Sequence, residues 1–291
     1  DGDVGHCAVN PVATFESLEP ELVKDGNGRL VVVVGAGPAG IEAACVLAMR
    51  GFKVKLFEKD GYVGGSVYHA SIPKGKAKLE WALEAYRRQL IDAGVELHLN
   101  TEITSDTVRE LQPYAVFVAT GCYPIVPRSI PGIDKPIVTE AKDYLINQNI
   151  GSGKQVAVIG GGLVGLEIAT TLASDANNVT VVEMLTADKM KLTMPYNLAL
   201  RHAKASGCNL LYGNKLVEIL DNGIVVENEA GERQRIEADR VLLCLGYRPN
   251  RDLYEELSES MENVHWLGTE SGIGDIPQAA RRGHKAAMGL M

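Results

Sequence analysis

Two glycine-rich turns, each followed at a fixed distance by a glutamate, are the parts of this 291-residue sequence best suited to chemistry. The first reads Gly35-Ala36-Gly37-Pro38-Ala39-Gly40 and the second Gly160-Gly161-Gly162-Leu163-Val164-Gly165. In both, the first glycine precedes an acidic residue by 23 positions, from 35 to Glu58 and from 160 to Glu183. The first glycine of such a turn permits a tight bend, and the second lets backbone approach a pyrophosphate. The third permits close helix–strand packing. A diphosphate placed there meets free N–H groups and the positive end of a helix dipole. The glutamate is then placed to accept hydrogen bonds from ribose hydroxyls. One glycine turn is a weak sign; two with matched spacing predict two dinucleotide sites.

Each turn needs a strand before it, a helix after it and a second strand ending on the acid. Leu30–Val34 is a continuous β-branched run, as expected of a strand buried on both faces of a parallel sheet. A helical pattern over Ile41–Arg50 follows, stopped by Gly51, with Pro38 suited to the first helical position. Lys53–Phe57 is the next strand. The grammar recurs as strand Gln155–Ile159, helix Leu166–Ala173 and strand Asn178–Val182. Further helices are expected over Lys76–Ala93, Pro195–Ser206 and Pro277–Met291. Strands are expected over Val95–Leu99, Ala115–Ala119 and Arg240–Leu245. Asp221-Asn222 between Lys215–Ile219 and Gly223–Glu229 is a hairpin signature. Pro124–Pro127 with Ile130–Asp134 reads as a connector, and Asn149–Gly153 as a second linker. The fold class expected is α/β, with two Rossmann-like dinucleotide-binding domains, the second inserted into the first. Residues 29–150 and 241–291 form one domain, 151–240 the other, and 1–28 an N-terminal extension.

Composition narrows the partners. Apolar residues make up 46% of the chain in short runs, which suits a soluble α/β protein. No apolar stretch reaches the roughly 20 residues that span a bilayer, and the start does not read as a signal peptide. Net charge is −8 with no Lys/Arg stripe, which argues against nucleic acid. Five widely spaced cysteines, Cys7, Cys45, Cys122, Cys208 and Cys244, point to reduced thiols and a cytoplasmic setting. The histidines are scattered, so no metal site is expected. The chain begins with Asp1, and we expect it to be a piece of something larger.

The turn pair, Ala119-Thr120-Gly121 before the connector, and Cys244-Leu245-Gly246-Tyr247-Arg248-Pro249-Asn250 resemble the two-dinucleotide flavoprotein reductases. Within that fold the chain resembles the C-terminal half of bacterial NADH:flavin oxidoreductases related to old yellow enzyme, the dienoyl-CoA reductase and trimethylamine dehydrogenase group. The supporting phrases are Cys7-Ala8-Val9-Asn10-Pro11, Leu56-Phe57-Glu58-Lys59 followed by Val63-Gly64-Gly65, Ile72–Lys76 and Val182–Leu185. The resemblance implies FAD in the first site and NADH in the second. It also implies a partner TIM barrel carrying FMN and a four-iron cluster; Cys7 stands at the place of the last of the four cluster ligands, but without the other three it is expected to be an inert thiol in this sequence. The first site would draw on Gly35 through Gly40, Glu58, Lys59, Gly65, Ser66, Ala119, Thr120, Gly121, Gly268 and Thr269. The second would draw on Gly160, Gly162, Leu163, Val164, Gly165 and Glu183, and Gly246, which falls within the first domain's 241–291 segment, is a further cofactor-binding candidate. Three positions depart from the family pattern. Thr269 stands where Asp usually contacts the flavin ribityl chain, Ser66 where Gln often follows Gly-Gly, and Tyr114 where Asp often precedes a strand.

The expected chemistry is hydride transfer from NADH to FAD, with electrons passing on to the barrel. No side chain need act as acid or base, so no catalytic residue is named. Glu183 would repel a 2′-phosphate about 4 Å away by up to about 4 kcal/mol at an effective dielectric near 20, which favours NADH over NADPH. Lys189 and Lys191 are the cations closest in sequence. The alternative is a structural module that holds ADP in the first site and transfers no hydride.

Overall fold

The computed structural model describes residues 7–190, 193–270 and 274–291; Lys191 and the first six residues of the extension lie outside them. The chain forms two compact units. One comprises the residues up to Ser71, Gly75–Tyr123 and Arg248–Met291, and the other Ile72–Lys74 and Pro124–Tyr247. The first unit opens with β1 (Leu30–Val34), α1 (Pro38–Met49), β2 (Lys53–Phe57), α2 (Ser66–Ser71) and α3 (Lys78–Asp92). It continues through β3 (Glu96–His98), α4 (Ser105–Glu110) and β4 (Ala115–Val118). A crossing strand, β5 (Cys122–Pro124), leads to the second unit: β6 (Val138–Glu140), α5 (Ala141–Asn147), β7 (Gln155–Ile159), α6 (Leu163–Ser174) and β8 (Asn178–Glu183). There follow α7 (Met194–Ala205), β9 (Asn209–Tyr212), β10 (Asn214–Leu220), β11 (Gly223–Asn228), β12 (Arg233–Glu237) and β13 (Arg240–Leu243). Finally β14 (Tyr247–Pro249) returns the chain to α8 (Asp252–Ser258), β15 (Val264–Trp266) and α9 (Ile276–Met288).

The first unit is a parallel sheet in the order β15-β4-β1-β2-β3. Its valine run is divided between two cores by the pleat. Val31 and Val33 pack with Ile41, Leu47, Leu83 and Leu90 of α1 and α3, whereas Val32 and Val34 pack with Val108 and Leu257 of α4 and α8. Both faces are covered, so an unbroken apolar strand is stable here. Each such side chain contributes about 1.5–3 kcal/mol when fully buried. Helix α3 shows why one face suffices for a helix: Ala82, Leu83, Tyr86 and Leu90 are buried while Trp81 and Arg88 are exposed.

The second unit repeats the plan, with the parallel order β6-β13-β7-β8-β9. Val156 and Val158 face Leu166, Ile168 and Leu172 of α6. Ala157 and Ile159 face Ile219, Ile224 and Val226 of the antiparallel sheet β10-β11-β12. This unit is wider than the linker reading allows. Residues 124–150 and 241–247 belong to it and not to the first domain. The cause is the parallel pairing of β6 with β13, Val138 with Val241 through Glu140 with Leu243. The connector is likewise core: Ile133 is buried, with Val126 and Ile130 packed beside it.

Two features close the first unit. The extension lies along it: Tyr86 Oη donates to the Ala8 carbonyl at 2.9 Å, Gln89 Nε2 to that of Val9 at 3.0 Å, and the Arg281 guanidinium stacks on Phe15. His284 of α9 bonds Glu42 of α1 through Nδ1 at 2.9 Å and lies 3.3 Å from Glu19 of the extension through Nε2. The second feature is Arg50, 5% exposed at the end of α1. Its guanidinium donates to both carboxylate oxygens of Asp25 (2.9 and 2.5 Å) and to the carbonyls of Ala287, Met288 and Leu290 (2.5, 3.2 and 2.7 Å). The carbonyls that α9 leaves without intrahelical partners are thus satisfied by a charge. Among the described residues no helix is long and apolar enough to cross a membrane.

Candidate functional site

In each unit the glycine turn sits where the strand order reverses, at the carboxyl ends of β1 and β7. An open α/β sheet receives a ligand at such a point. The two turns match closely. Gly35 has φ +101° and Gly160 φ +107°, a region that favours glycine. A Cβ on Gly35 would lie 2.3 Å from the Ala119 carbonyl oxygen, and one on Gly160 2.3 Å from that of Cys244. A Cβ on Gly40 would lie 1.9 Å from the Gly35 oxygen, and one on Gly165 1.9 Å from the Gly160 oxygen. The middle glycines differ in kind. Nothing lies within 4 Å of a Cβ built on Gly37 or on Gly162. First and third glycines are therefore small because protein surrounds them, and the middle ones face open space at the helix start.

The glutamates are built alike as well. Glu58 is 8% exposed and Glu183 9%. Glu58 accepts from the Ala36 N–H (2.8 Å) and the Asp60 N–H (2.9 Å). Glu183 accepts from the Gly161 N–H and the Leu185 N–H, both at 2.8 Å. Each carboxylate is thus tied to the residue inside its own turn and to the residue two positions beyond itself. A carboxylate has about four acceptor positions, so two backbone bonds leave capacity for vicinal hydroxyls. Sequence reasoning passed over Gly161, Asp60 and Leu185 because a backbone donor leaves no mark on residue type.

The remaining first-site residues gather at the same sheet edge. Ala119 follows β4, where its N–H donates to the Val34 carbonyl (2.7 Å). Thr120 Oγ1 donates to the Asn250 carbonyl (3.0 Å), and the Gly121 carbonyl accepts from the Asn250 N–H (2.9 Å). Gly65 comes close enough to Gly37 that a Cβ would be 3.2 Å from its Cα, and the Gly64 N–H donates to the Ala36 carbonyl (2.7 Å). Pro38 opens α1, with Ala39 beside it on the same turn. Lys59 and Ser66 are exposed. Gly268 and Thr269 follow β15 after Leu267, and Gly268 lies against the Trp266 indole. Asp275, at the start of α9, caps the helix by accepting from the Gln278 N–H at 2.8 Å.

In the second unit a cavity of about 170 Å³ opens beside α6. Gly162, Leu163, Val164 and Gly165 line it from the turn, and Gly246 and Tyr247 from beyond β13. Gly246, placed by the sequence in the first domain, thus belongs to the second because its segment continues β13. Pro124 and Ile125, from the supposed connector, and Glu140 and Lys142, beyond it, also line the wall. Desolvation pushes the Cys244 thiol at this cavity up to about 12, and burial does the same to Cys45 of α1. Neither is a thiolate at neutral pH. All five cysteines are free. Among the described residues no three His, Cys, Asp or Glu side chains are grouped as metal ligands.

Comparison with known proteins agrees with this architecture. The family model of the pyridine nucleotide-disulphide oxidoreductases matches residues 29–266. An NADH oxidase of Thermoanaerobacter brockii is 35% identical over 287 residues, covering 97% of this chain and 44% of its own length. A cinnamate reductase of Clostridium sporogenes is 33% identical over 289 residues, covering 98% of this chain and 42% of its own. Among solved structures, a 2-naphthoyl-CoA reductase superimposes with a TM-score of 0.87 at 28% identity, over 98% of this chain and 43% of that one. The chain thus spans less than half the length of these relatives.

Proposed function

The chain belongs to the pyridine nucleotide-disulphide oxidoreductase family, and from that premise we propose that it is the FAD- and NADH-binding part of a flavoprotein reductase. The first unit takes FAD and the second NADH. The observation that carries this reading is the duplicated cradle: an open middle glycine at a helix start, facing a buried carboxylate already ordered by two backbone N–H groups. When bound, the flavin supplies the hydride acceptor. The chain's own residues bind and orient. The first turns of α1 and α6 hold diphosphates, Glu58 and Glu183 hold adenosine riboses, and the cavity beside α6 receives the reactive half of NADH. No side chain is assigned to move a proton, and the protonated Cys244 and Cys45 thiols argue against a cysteine nucleophile at these positions.

NADH is assigned over NADPH. A carboxylate at Glu183 would repel a 2′-phosphate on the ribose assigned to it, and Lys189, the nearer of the two cations noted in sequence, is paired with Glu229 at 3.0 Å. The onward path of the electrons is assigned to a separate TIM barrel carrying FMN and a four-iron cluster. The resemblance and the greater length of the relatives support that partner. Thr269 favours a second reading, ADP alone in the first unit, because a neutral hydroxyl replaces the expected carboxylate. One experiment separates them: denature the purified protein, identify the released nucleotide, then titrate the native protein anaerobically with NADH. FAD that bleaches near its visible maximum supports the reductase. ADP in place of FAD, or FAD that stays oxidised in excess NADH, refutes it.

A further inference from the structure

An extended dinucleotide that anchors its adenosine ribose on Glu183 must cross the α6 N-terminus toward the other side of the sheet. That side is made by β13 and β6, since the order runs β6-β13-β7-β8-β9 and Glu183 ends β8. The cavity beside α6 lies there. Its walls are mainly apolar, as suits a flat aromatic ring, and pockets of this kind fix orientation with few polar groups. Glu140 and Lys142 are the two lining residues that carry a charge at neutral pH.

Glu140 is the last residue of β6 and the N-cap of α5. Its side chain makes no capping bond, although N-cap side chains commonly satisfy a helix-start N–H. Among the described residues its carboxylate makes no hydrogen bond and no ion pair, and it is only half-exposed at most, so it carries unused acceptor capacity. Water meets that capacity in the free protein, and a ligand N–H entering the cavity would take its place. The charged groups around it are Asp143, Arg128 and Lys142; desolvation and Asp143 raise its carboxyl above the usual range, while Arg128 and Lys142 oppose them.

We propose that Glu140 is a positioning residue for the nicotinamide ring of NADH, accepting a hydrogen bond from the N–H of its carboxamide. The inference rests on the NADH reading of the second unit. It gives the two ends of β8 and β6 complementary tasks: Glu183 holds the adenosine side and Glu140 sets the face and rotation of the reactive ring.

The test uses three probes: NADH, ADP-ribose, which lacks the ring, and reduced 3-acetylpyridine adenine dinucleotide, whose ketone has no N–H. The full chain should bind NADH more tightly than the acetylpyridine analogue. Glu140→Ala should weaken NADH at least about tenfold, leave ADP-ribose within about twofold, and abolish the preference for NADH over the analogue. Glu140→Gln keeps the shape and one acceptor, and should show a smaller loss in the same ratio. A merely structural role would weaken all three ligands together, and that result overturns the proposal, as does an unchanged NADH-to-analogue ratio in both variants. Failure of the wild-type chain to bind either NADH or ADP-ribose refutes instead the dinucleotide reading of the second unit, and this assignment with it.

Discussion

Substituting the second and third glycines of one turn should separate binding from folding. Gly162 has φ −70° and ψ −178°, backbone that alanine adopts freely, and an added methyl meets no atom within 4 Å. Gly162→Ala therefore costs the fold only the poorer N-cap, about 1 kcal/mol. That corresponds to a fall in Tm of about 3–6 °C for a unit of this size. The methyl nevertheless occupies the approach a diphosphate needs to reach the α6 N–H groups. Losing one charge-assisted hydrogen bond is worth about 1.5–3 kcal/mol, so NADH affinity should fall by about tenfold to about 150-fold. Gly165→Ala does the reverse. Its methyl would lie 1.9 Å from the Gly160 oxygen and 3.4 Å from Cys244 Cβ, inside the protein. Relief requires the helix to move by about 1.5 Å, with a stability loss of about 3 kcal/mol or more. Thermal unfolding followed by circular dichroism, beside NADH titration by fluorescence, reads both quantities. A Gly162→Ala protein that binds NADH as the wild type does would show that no diphosphate lies on this turn. A Gly165→Ala protein of unchanged Tm would refute the packing account.

Replacing the acidic ribose anchor tests cofactor choice: Glu183→Gln removes the charge facing a 2′-phosphate, so the preference for NADH over NADPH in binding titrations should shrink by about tenfold or more. The new amide leaves either the Gly161 or the Leu185 N–H facing a donor, with a stability cost of about 1–3 kcal/mol. Arg50→Ala orphans three carbonyls at the end of α9 and an aspartate, and should cost about 3 kcal/mol, read as a lower urea midpoint at unchanged slope. His284 is held above its ordinary value of 6.5 chiefly by its hydrogen bond to Glu42, with Glu19 also raising it against the effect of burial. A folded pKa above the unfolded one stabilises fully below about 6.5, and that contribution is lost as pH rises through the folded value. Tm measured against pH should therefore decline more steeply in wild type than in His284→Gln over that window; parallel profiles would rule the linkage out.

The sheets and turns were legible because their causes are local. An unbroken valine run, a glycine at a positive φ and a proline at a first helical position each report on their own backbone. The limits of the inserted unit were not. Val138–Glu140 is three residues long, and what makes it a strand is β13, about a hundred residues later. Pro124–Asp134 is rich in proline and glycine, yet Ile133 and its neighbours are covered by the β10–β12 sheet, which composition cannot foresee. Strand β12, Arg-Gln-Arg-Ile-Glu, has the composition of a loop and exists because its backbone pairs with β11 at the sheet edge. The same blindness hid Glu140, Ile125 and Lys142 from the candidate site.

Because one unit interrupts the other, the two are not completed together during synthesis. All of the inner sheet has been translated once Tyr247 is made, whereas the outer one still lacks β15, an edge strand, and α9, whose carbonyls Arg50 needs. Until Leu290 is added, a guanidinium that ends up 5% exposed has Asp25 but lacks its full set of carbonyl partners. Residues 29–123 therefore stay incompletely covered until these later segments arrive. A nascent chain stalled between the two events would be protease-resistant over 124–247 and cleavable before it.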